Sequence, residues 1–453
     1  MTSASATPLE QAWSALGGGR PADLALDGEG VLPASPYALE DVAVAAVGCT
    51  LLAAAELAQA RGASRPQAAL DRGHAALAFA SERLLRAERA LPAGFAPLSR
   101  FAACADGHIR LHANYPHHRT ALLQALGDPP DDDAALAAVA QRGAEELEEA
   151  VLAAGGAAAA VRSAERWRAH PQGEAVGGLG LLELEPAGAT SRPLAPAGAL
   201  PCSGLRVLDL TRVIAGPVGT RMLAALGAQV LRVDPPGMPE LELHVLDGCV
   251  GKRSTLLDAR ASAGRETIER LLADADVLVQ GYRPGALAAL GLDARSLAER
   301  HPQLVTVTLS AWGETGPWAG RRGFDSLVQA ACGIALACGQ DGAPAALPVQ
   351  ALDHASGYLI AAAALRGLAS RAASGRALHA RLALTRTAAW VMSHAGAGDG
   401  GGSLDPARHL VEVPSPAGPL RCLAPPGSLD GRALSWPRGV PAYGSDPPRW
   451  ESV

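Results

Sequence analysis

Three observations predict an α/β protein built on a doubly wound, mostly parallel sheet, with a smaller α+β domain beside it. From about residue 204 onward, short β-branched runs alternate with helical patterns, the signature of strands joined by crossover helices. The first 183 residues lack that alternation and are dominated by alanine-rich helical segments. Between them, "LEPAGATSRPLAPAGALPCSG" (184–204) is rich in Pro, Gly and Ala and has no periodicity, so it reads as a linker at 184–203.

The elements of the second half follow in order. "LRVLDLTRV" is a strand, "GPVGTRMLAALGA" a turn and helix, and "QVLRVD" a second strand. "RETIERLLADA" is a helix, "DVLVQGY" a strand, "LAERH" the end of a helix and "LVTVTLSAWG" another strand. Apolar strands separated by helices imply a parallel sheet covered on both faces, here a Rossmann-like domain over 204–395. Residues 396–453, which include the run "GAGDGGGS", read as a Gly/Pro-rich tail. In the first half, residues 80–180 form the candidate small domain. A faint internal repeat relates 40–79 to 352–390: an Asp (Asp41, Asp353), an alanine-rich helix, an Arg/Gly turn, an alternating strand and a further helix start.

Composition excludes several function classes. The chain has 453 residues, a formal charge of −6 and one lysine, Lys252, so nothing argues for nucleic acid or an anionic membrane as partner. The apolar run "VAVAAVGCTLLAAAELA" meets Glu56 too early to span a bilayer and reads as a buried helix. Seven dispersed cysteines without C-x-x-C spacing suit a reducing compartment, and no basic-then-apolar leader opens the sequence. The expectation is a cytoplasmic protein without a metal. His108, His112, His117 and His118 form a cluster, read as small-domain surface residues because no acid or cysteine at ligand spacing accompanies them.

The stretch "VLDLTRVIAGPVGTRMLAALGAQVLRVDPP" has the order of a nucleotide-binding βαβ unit, yet its turn is not G-x-G-x-x-G. That turn, followed by "GKRSTLLDARASAG", "GYRPGALAALGL" and "AWGETGPWAGRRGFDSLVQAACGI", resembles family III CoA-transferases across about 203–390. This family contains formyl-CoA and carnitine-CoA transferases and a branch of α-methylacyl-CoA racemases. The resemblance implies that the chain binds coenzyme A or an acyl-CoA as substrate, keeps no permanent cofactor and transfers CoA to a carboxylic acid, as an interlocked homodimer. It implies that Arg212, Val213, Ile214 and Ala215 line the CoA, with small turn residues letting backbone approach the ligand. It assigns Lys252 and Arg253 to phosphate charge, Tyr282 to the adenine and Arg283 to phosphate. The small domain would precede the main domain, with two truncated halves supplying one subunit's parts.

The same resemblance makes Asp353, in "PVQALDHASGYL", the catalytic nucleophile, forming an acyl anhydride and then an aspartyl-CoA thioester. Read from the residues alone, Asp353 is equally an N-cap of the helix that follows, and Asp41 is only a cap. The racemase branch carries His-Asp where this chain has Phe324-Asp325, which disfavours racemisation and leaves Asp325 a structural or substrate-side group. A CoA-binding relative without transfer chemistry is one alternative. An NAD(P) oxidoreductase resting on Asp234 is another, opposed by the missing glycine fingerprint and the prolines that follow.

Overall fold

In the computed structural model, residues 6–30, 32–190, 192–396 and 405–452 are described, so the glycine run beyond Gly396 lies outside them. Its centre is a seven-stranded sheet in the order Arg253–Leu256, Gln229–Asp234, Arg206–Leu210, Val277–Gln280, Val305–Ser310, Arg376–Ala383 and Leu182–Ala189. All neighbouring pairs are parallel except the last. The parallel part starts at Arg206–Leu210, winds outward to one edge, then returns to wind toward the other. Strand order therefore reverses between Arg206–Leu210 and Val277–Gln280, and a crevice at the carboxyl ends of these strands is a topological consequence.

The strands are buried on both faces, as their continuous apolar runs require. Val207, Val230, Val277, Val279, Val305 and Val307 join the main core, while Leu208, Leu231 and Leu278 point to the opposite face, against Ile268, Leu271 and Leu297. On the main-core side the helix Ala351–Ser374 packs against both Leu39–Ala60 and Ala215–Ala225. Glycine permits the second contact. A Cβ on Gly219 would lie 2.6 Å from the Gly357 carbonyl oxygen, and one on Gly357 would lie 2.6 Å from the carbonyl oxygen of Ala215. Leu39–Ala60 is long and apolar enough to cross a membrane by length and composition, and here it is a core helix.

The internal repeat is present in three dimensions. Leu39–Ala60, Ala68–Asp71 and Arg72–Ala78 follow one another as do Ala351–Ser374, Arg376–Ala383 and Leu384–Met392. The two long helices pack on each other, and Thr50 Oγ1 donates to the carbonyls of both Ala46 and Tyr358, at 3.2 and 2.7 Å. These two carbonyls are equivalent when Asp41 is aligned with Asp353. Both halves therefore share one core rather than folding as separate units.

Two segments differ from their sequence reading. The linker begins as an edge strand, Leu182–Ala189, antiparallel to Arg376–Ala383. Its proline-rich remainder offers carbonyls without matching N–H groups, and Arg61 takes four of them: those of Ala195, Pro196, Pro201 and Ser203, at 2.6–3.0 Å. The C-terminal segment is no loose tail either. Leu420–Leu423 pairs with Arg86–Ala87, Ser428–Leu429 pairs with Ala68–Asp71, and Trp450 Nε1 donates to the Leu271 carbonyl at 3.1 Å. Its apolar residues Leu420, Cys422 and Val440 complete a satellite core that glycine and proline content does not reveal.

The small domain is an antiparallel sheet of Phe101–Cys104, Gly107–Leu111 and Ala158–Ala160, backed by Pro116–Ala125, Asp132–Ala140 and Ala144–Ala153. It stands beside the crevice and supplies one wall of the site. If Arg61 holds the linker as described, Arg61→Ala removes about 2–4 kcal/mol of stability in urea unfolding and opens 190–203 to limited proteolysis.

Candidate active site

The loop after the first parallel strand is set by buried charge. Asp209, at the strand's end, accepts from the backbone N–H and hydroxyl of Thr211, from Thr220 Oγ1 at 2.6 Å and from Lys252 Nζ at 2.9 Å. Lys252 is fully buried and also donates to the Pro217 carbonyl. The chain's single lysine is therefore a core counter-ion, not a phosphate ligand, because a buried carboxylate needs a partner that only a compact ammonium reaches there. Arg253 is likewise spent elsewhere. It donates to the carbonyls of Pro447 and Arg449 and pairs with Asp446 at 3.3 Å, clamping the C-terminal segment.

Glu240 holds the same loop from the other side. Its carboxylate accepts from the Val213 N–H at 2.9 Å, from Tyr115 Oη at 2.6 Å and from Arg232, and pairs with Arg212 at 3.4 Å. Val213 sits at φ +67°, a left-handed conformation that a β-branched residue adopts only under constraint, at a cost of about 1–3 kcal/mol. Gly216 is needed for a separate reason: a Cβ there would lie 2.2 Å from Thr211 Cβ. The small residues of "AGPVG" thus serve packing within the turn and against Ala351–Ser374.

Two cavities meet at this loop. An outer cleft of about 670 Å³ follows the carboxyl ends of the strands and is lined by Arg212, Val213, Ala215, Tyr282 and Arg283. An inner chamber of about 370 Å³ is lined by Val213, Ile214, Phe95, Leu243, His112 and Phe324. Asp353 lines both. Arg212 presents its stem to the cleft while its guanidinium donates to the carbonyls of Met238 and Pro239. Arg283 donates to the Gly320 carbonyl from an exposed position. Sequence reading missed two further cleft cations, Arg260 and Arg322. Arg322 is half-buried beside Arg283, and burial together with that neighbour depresses its pKa. In an arginine-rich chain neither residue carries a sequence signal; only the crevice singles them out.

Asp353 is the third residue of its helix, and the structure gives its cap to another acid. Asp325 Oδ2 accepts the backbone N–H groups of Leu352 and Asp353, at 2.9 and 3.0 Å, and Gln329 holds the other oxygen. Among the described residues, no donor occupies the Asp353 carboxylate, which is 8% exposed and faces the cavities. Burial raises its pKa well above the usual carboxylate range, and Asp325 and Glu82 add to the effect. Asp325 is itself raised to about 6, mainly by burial. Together they behave as a dyad that holds a proton well above ordinary carboxylate pH. His354, next in sequence, turns away and pairs with Glu82 at 2.9 Å. Asp41, its counterpart in the repeat, is exposed and pairs with Arg72.

The histidine cluster divides: His117 is exposed and His108 half-buried, whereas His112 and His118 are buried. His112 stacks on Phe324, with ring centroids 3.7 Å apart, and His118 is buried beside it. Burial lowers the pKa of both, to about 3 for His118. Among the described residues, no His, Cys, Asp or Glu group could hold a metal.

Asp353 thus lies where a cleft that carries several arginines meets a smaller, largely apolar chamber. Residues 202–422 match the family model "CoA-transferase family III". A probable fatty acyl-CoA transferase of Mycobacterium tuberculosis is 35% identical over 191 residues, which are 39% of this chain and 48% of that protein. Acetyl-CoA:oxalate CoA-transferase of Acetobacter aceti is 32% identical over 41% of this chain and 51% of its own length. Succinyl-CoA:glutarate CoA-transferase of Mus musculus is 31% identical over 42% and 47%. A crystal structure from M. tuberculosis aligns at 33% identity over 43% of this chain and 57% of that one, with a TM-score of 0.41. The chain spans about half the length of the curated relatives it matches.

The dyad makes stability depend on pH. A carboxyl raised in the folded state contributes fully below its unfolded pKa and loses that contribution as pH rises through the folded value. Asp353→Asn is therefore expected to melt about 2–4 °C above the wild type at pH 8 and level with it near pH 4, read by thermal unfolding.

Proposed function

We propose that this protein moves CoA from an acyl-CoA thioester to a carboxylic acid through a covalent intermediate on Asp353. The observation that carries the reading is the position of Asp353: buried, free of donors among the described residues, and lining both a cleft and a smaller, largely apolar chamber. The pantetheine arm would enter along Arg212, Val213 and Ala215, with Tyr282 against the adenine and Arg260, Arg283 and Arg322 near the phosphates. Ile214 would face the acyl group rather than CoA, since it lines the chamber alone.

In the first step the Asp353 carboxylate attacks the thioester carbonyl. The tetrahedral oxyanion collapses, the C–S bond breaks, and CoA leaves as thiolate from a mixed anhydride. The thiolate then attacks the aspartyl carbonyl of that anhydride and expels the donor acid as its carboxylate. An incoming carboxylate opens the aspartyl-CoA thioester to a new anhydride. The thiolate attacks its acyl carbonyl, forming the new acyl-CoA and restoring Asp353. Each step conserves CoA as long as water is excluded, and the chamber's apolar walls serve that end. The dyad must lose its proton before Asp353 can attack, so the rate rises with pH across the range in which the dyad titrates. Both halves of one chain line the site; a homodimer of a cytoplasmic enzyme is the assembly proposed.

Intact-mass spectrometry after incubation with a panel of acyl-CoAs tests this directly. A CoA or acyl adduct on the Asp353 peptide, trapped by hydroxylamine and absent from Asp353→Ala, is the expected result. CoA binding with no adduct from any donor would leave a CoA-binding protein without transfer chemistry. For the cleft, Arg322→Ala should weaken CoA binding about three- to tenfold in titration calorimetry, and more at low salt. Arg253→Ala should lower the melting temperature and leave CoA affinity within about twofold.

A further inference from the structure

His112 lines the inner chamber together with Asp353, Val213 and Ile214, and takes no part in the chemistry described above. Its backbone is fixed. The N–H donates to the Ala157 carbonyl at 3.1 Å, and the next N–H, of Ala113, donates to Ser99 Oγ at 2.8 Å. Its ring is fixed too, lying flat on Phe324 with centroids 3.7 Å and planes 3° apart. Phe324 precedes Asp325, whose carboxylate accepts the Asp353 N–H at 3.0 Å, so a short run of contacts ties the imidazole to the nucleophile.

The ring has one nitrogen to offer. Nδ1 is sealed from solvent without a hydrogen-bond partner, and among the described residues Nε2 has none either. A proton on Nδ1 would be an N–H shut away from any acceptor, at a cost of about 1–3 kcal/mol, which favours the Nε2–H tautomer. Nε2 is the nitrogen left unsealed, and it serves the chamber that the residue lines. Burial, with His118, Arg110 and His244 nearby, keeps the ring neutral, so it is a poor base and a ready hydrogen-bond donor. The chamber's other donors are committed or unaimed. Arg83 is spent on Glu82 and the Pro348 carbonyl, Asn114 on the Gly94 carbonyl, and Tyr115 on Glu240. Ser326 Oγ is sealed, and Gln350 makes no side-chain bond to the helix it precedes, so nothing there orients its amide.

We propose that His112 is a catalytic residue whose Nε2–H donates a hydrogen bond to the acyl carbonyl oxygen of the thioester or anhydride held in the chamber. The proposal rests on the CoA-transfer reading above and adds to it the group that carries the oxyanion. When the Asp353 carboxylate adds to the thioester carbon, the C=O π electrons move onto that oxygen. Nε2–H stabilises the charge and keeps its proton, and the electrons return as the C–S bond breaks. The last step, thiolate attack on the acyl carbonyl of the new anhydride, uses the same bond. A donor held by stacking needs no reorganisation at the moment of reaction, which is what makes such a bond effective.

The test uses three substitutions. His112→Phe keeps an aromatic ring against Phe324 and removes the donor. His112→Gln returns an N–H at the place of Nε2, and His112→Asn returns one at the place of Nδ1. His112→Phe should lower kcat about a hundredfold with KM for acyl-CoA within about threefold, and His112→Gln, but not His112→Asn, should recover about tenfold of that loss. A wild-type rate in His112→Phe overturns the proposal, as does an equal loss in the Gln and Asn variants. A second measurement needs no transfer. In Asp353→Ala the thioester C=O stretch of bound butyryl-CoA, followed by isotope-edited infrared difference spectroscopy, should lie at lower wavenumber than in the double variant with His112→Phe. If no donor acylates Asp353 in the wild type, the CoA-transfer reading fails on its own. The infrared measurement then still decides the role of His112: a difference between the two variants supports it, and no difference, or no binding, overturns it.

Discussion

The contact on which the rest depends is the close approach of Ala351–Ser374 to its two neighbouring helices. Along one face it meets Ala215–Ala225 through Gly357 and Gly219, at a distance that a single Cβ would forbid. Along another it meets Leu39–Ala60 through alanine and Thr50. Thin side chains leave no slack, so the helix has one depth and one rotation relative to the sheet. That fixes its first turn, and with it the Asp353 carboxylate, where the outer cleft and the inner chamber join.

Charge completes what packing begins. Asp209 with Lys252, and Glu240 with Arg232 and Arg212, hold the four-residue turn 211–214 from opposite sides. Buried pairs of this kind contribute little net stability, and their value here is geometric. They keep Val213 in a backbone conformation it would otherwise leave, and Val213 separates the two cavities. Asp325 does the same for the helix start, capping it without using the carboxylate of Asp353.

The sheet, its doubly wound order and the repeat of helix, strand and helix were legible because periodicity and β-branched runs report burial directly. Asp353, Arg212, Val213, Ala215, Tyr282 and Arg283, singled out through family resemblance, all line the cleft. Lys252 and Arg253 were misread because a cation beside a strand start looks the same in sequence whether it faces phosphate or a buried acid. Only the tertiary position of Asp209 and Asp446 distinguishes the two. His112 looked like surface because its stacking partner, Phe324, lies far along the chain. The C-terminal segment looked loose because its pairing partners are two-residue and four-residue strands in the first half, beyond any local pattern.

That last pairing bears on how the chain reaches its fold. Ala69 is partnered by Ser428, Ala87 by Leu420, and the apolar helix Leu39–Ala60 by one that begins at Ala351. Contacts this distant in sequence make for slow folding, since loop closure precedes any gain from the contact. During synthesis the first long helix would emerge early and wait, its apolar surface uncovered, while some three hundred further residues are made. In such a chain the early half is a natural client for chaperones.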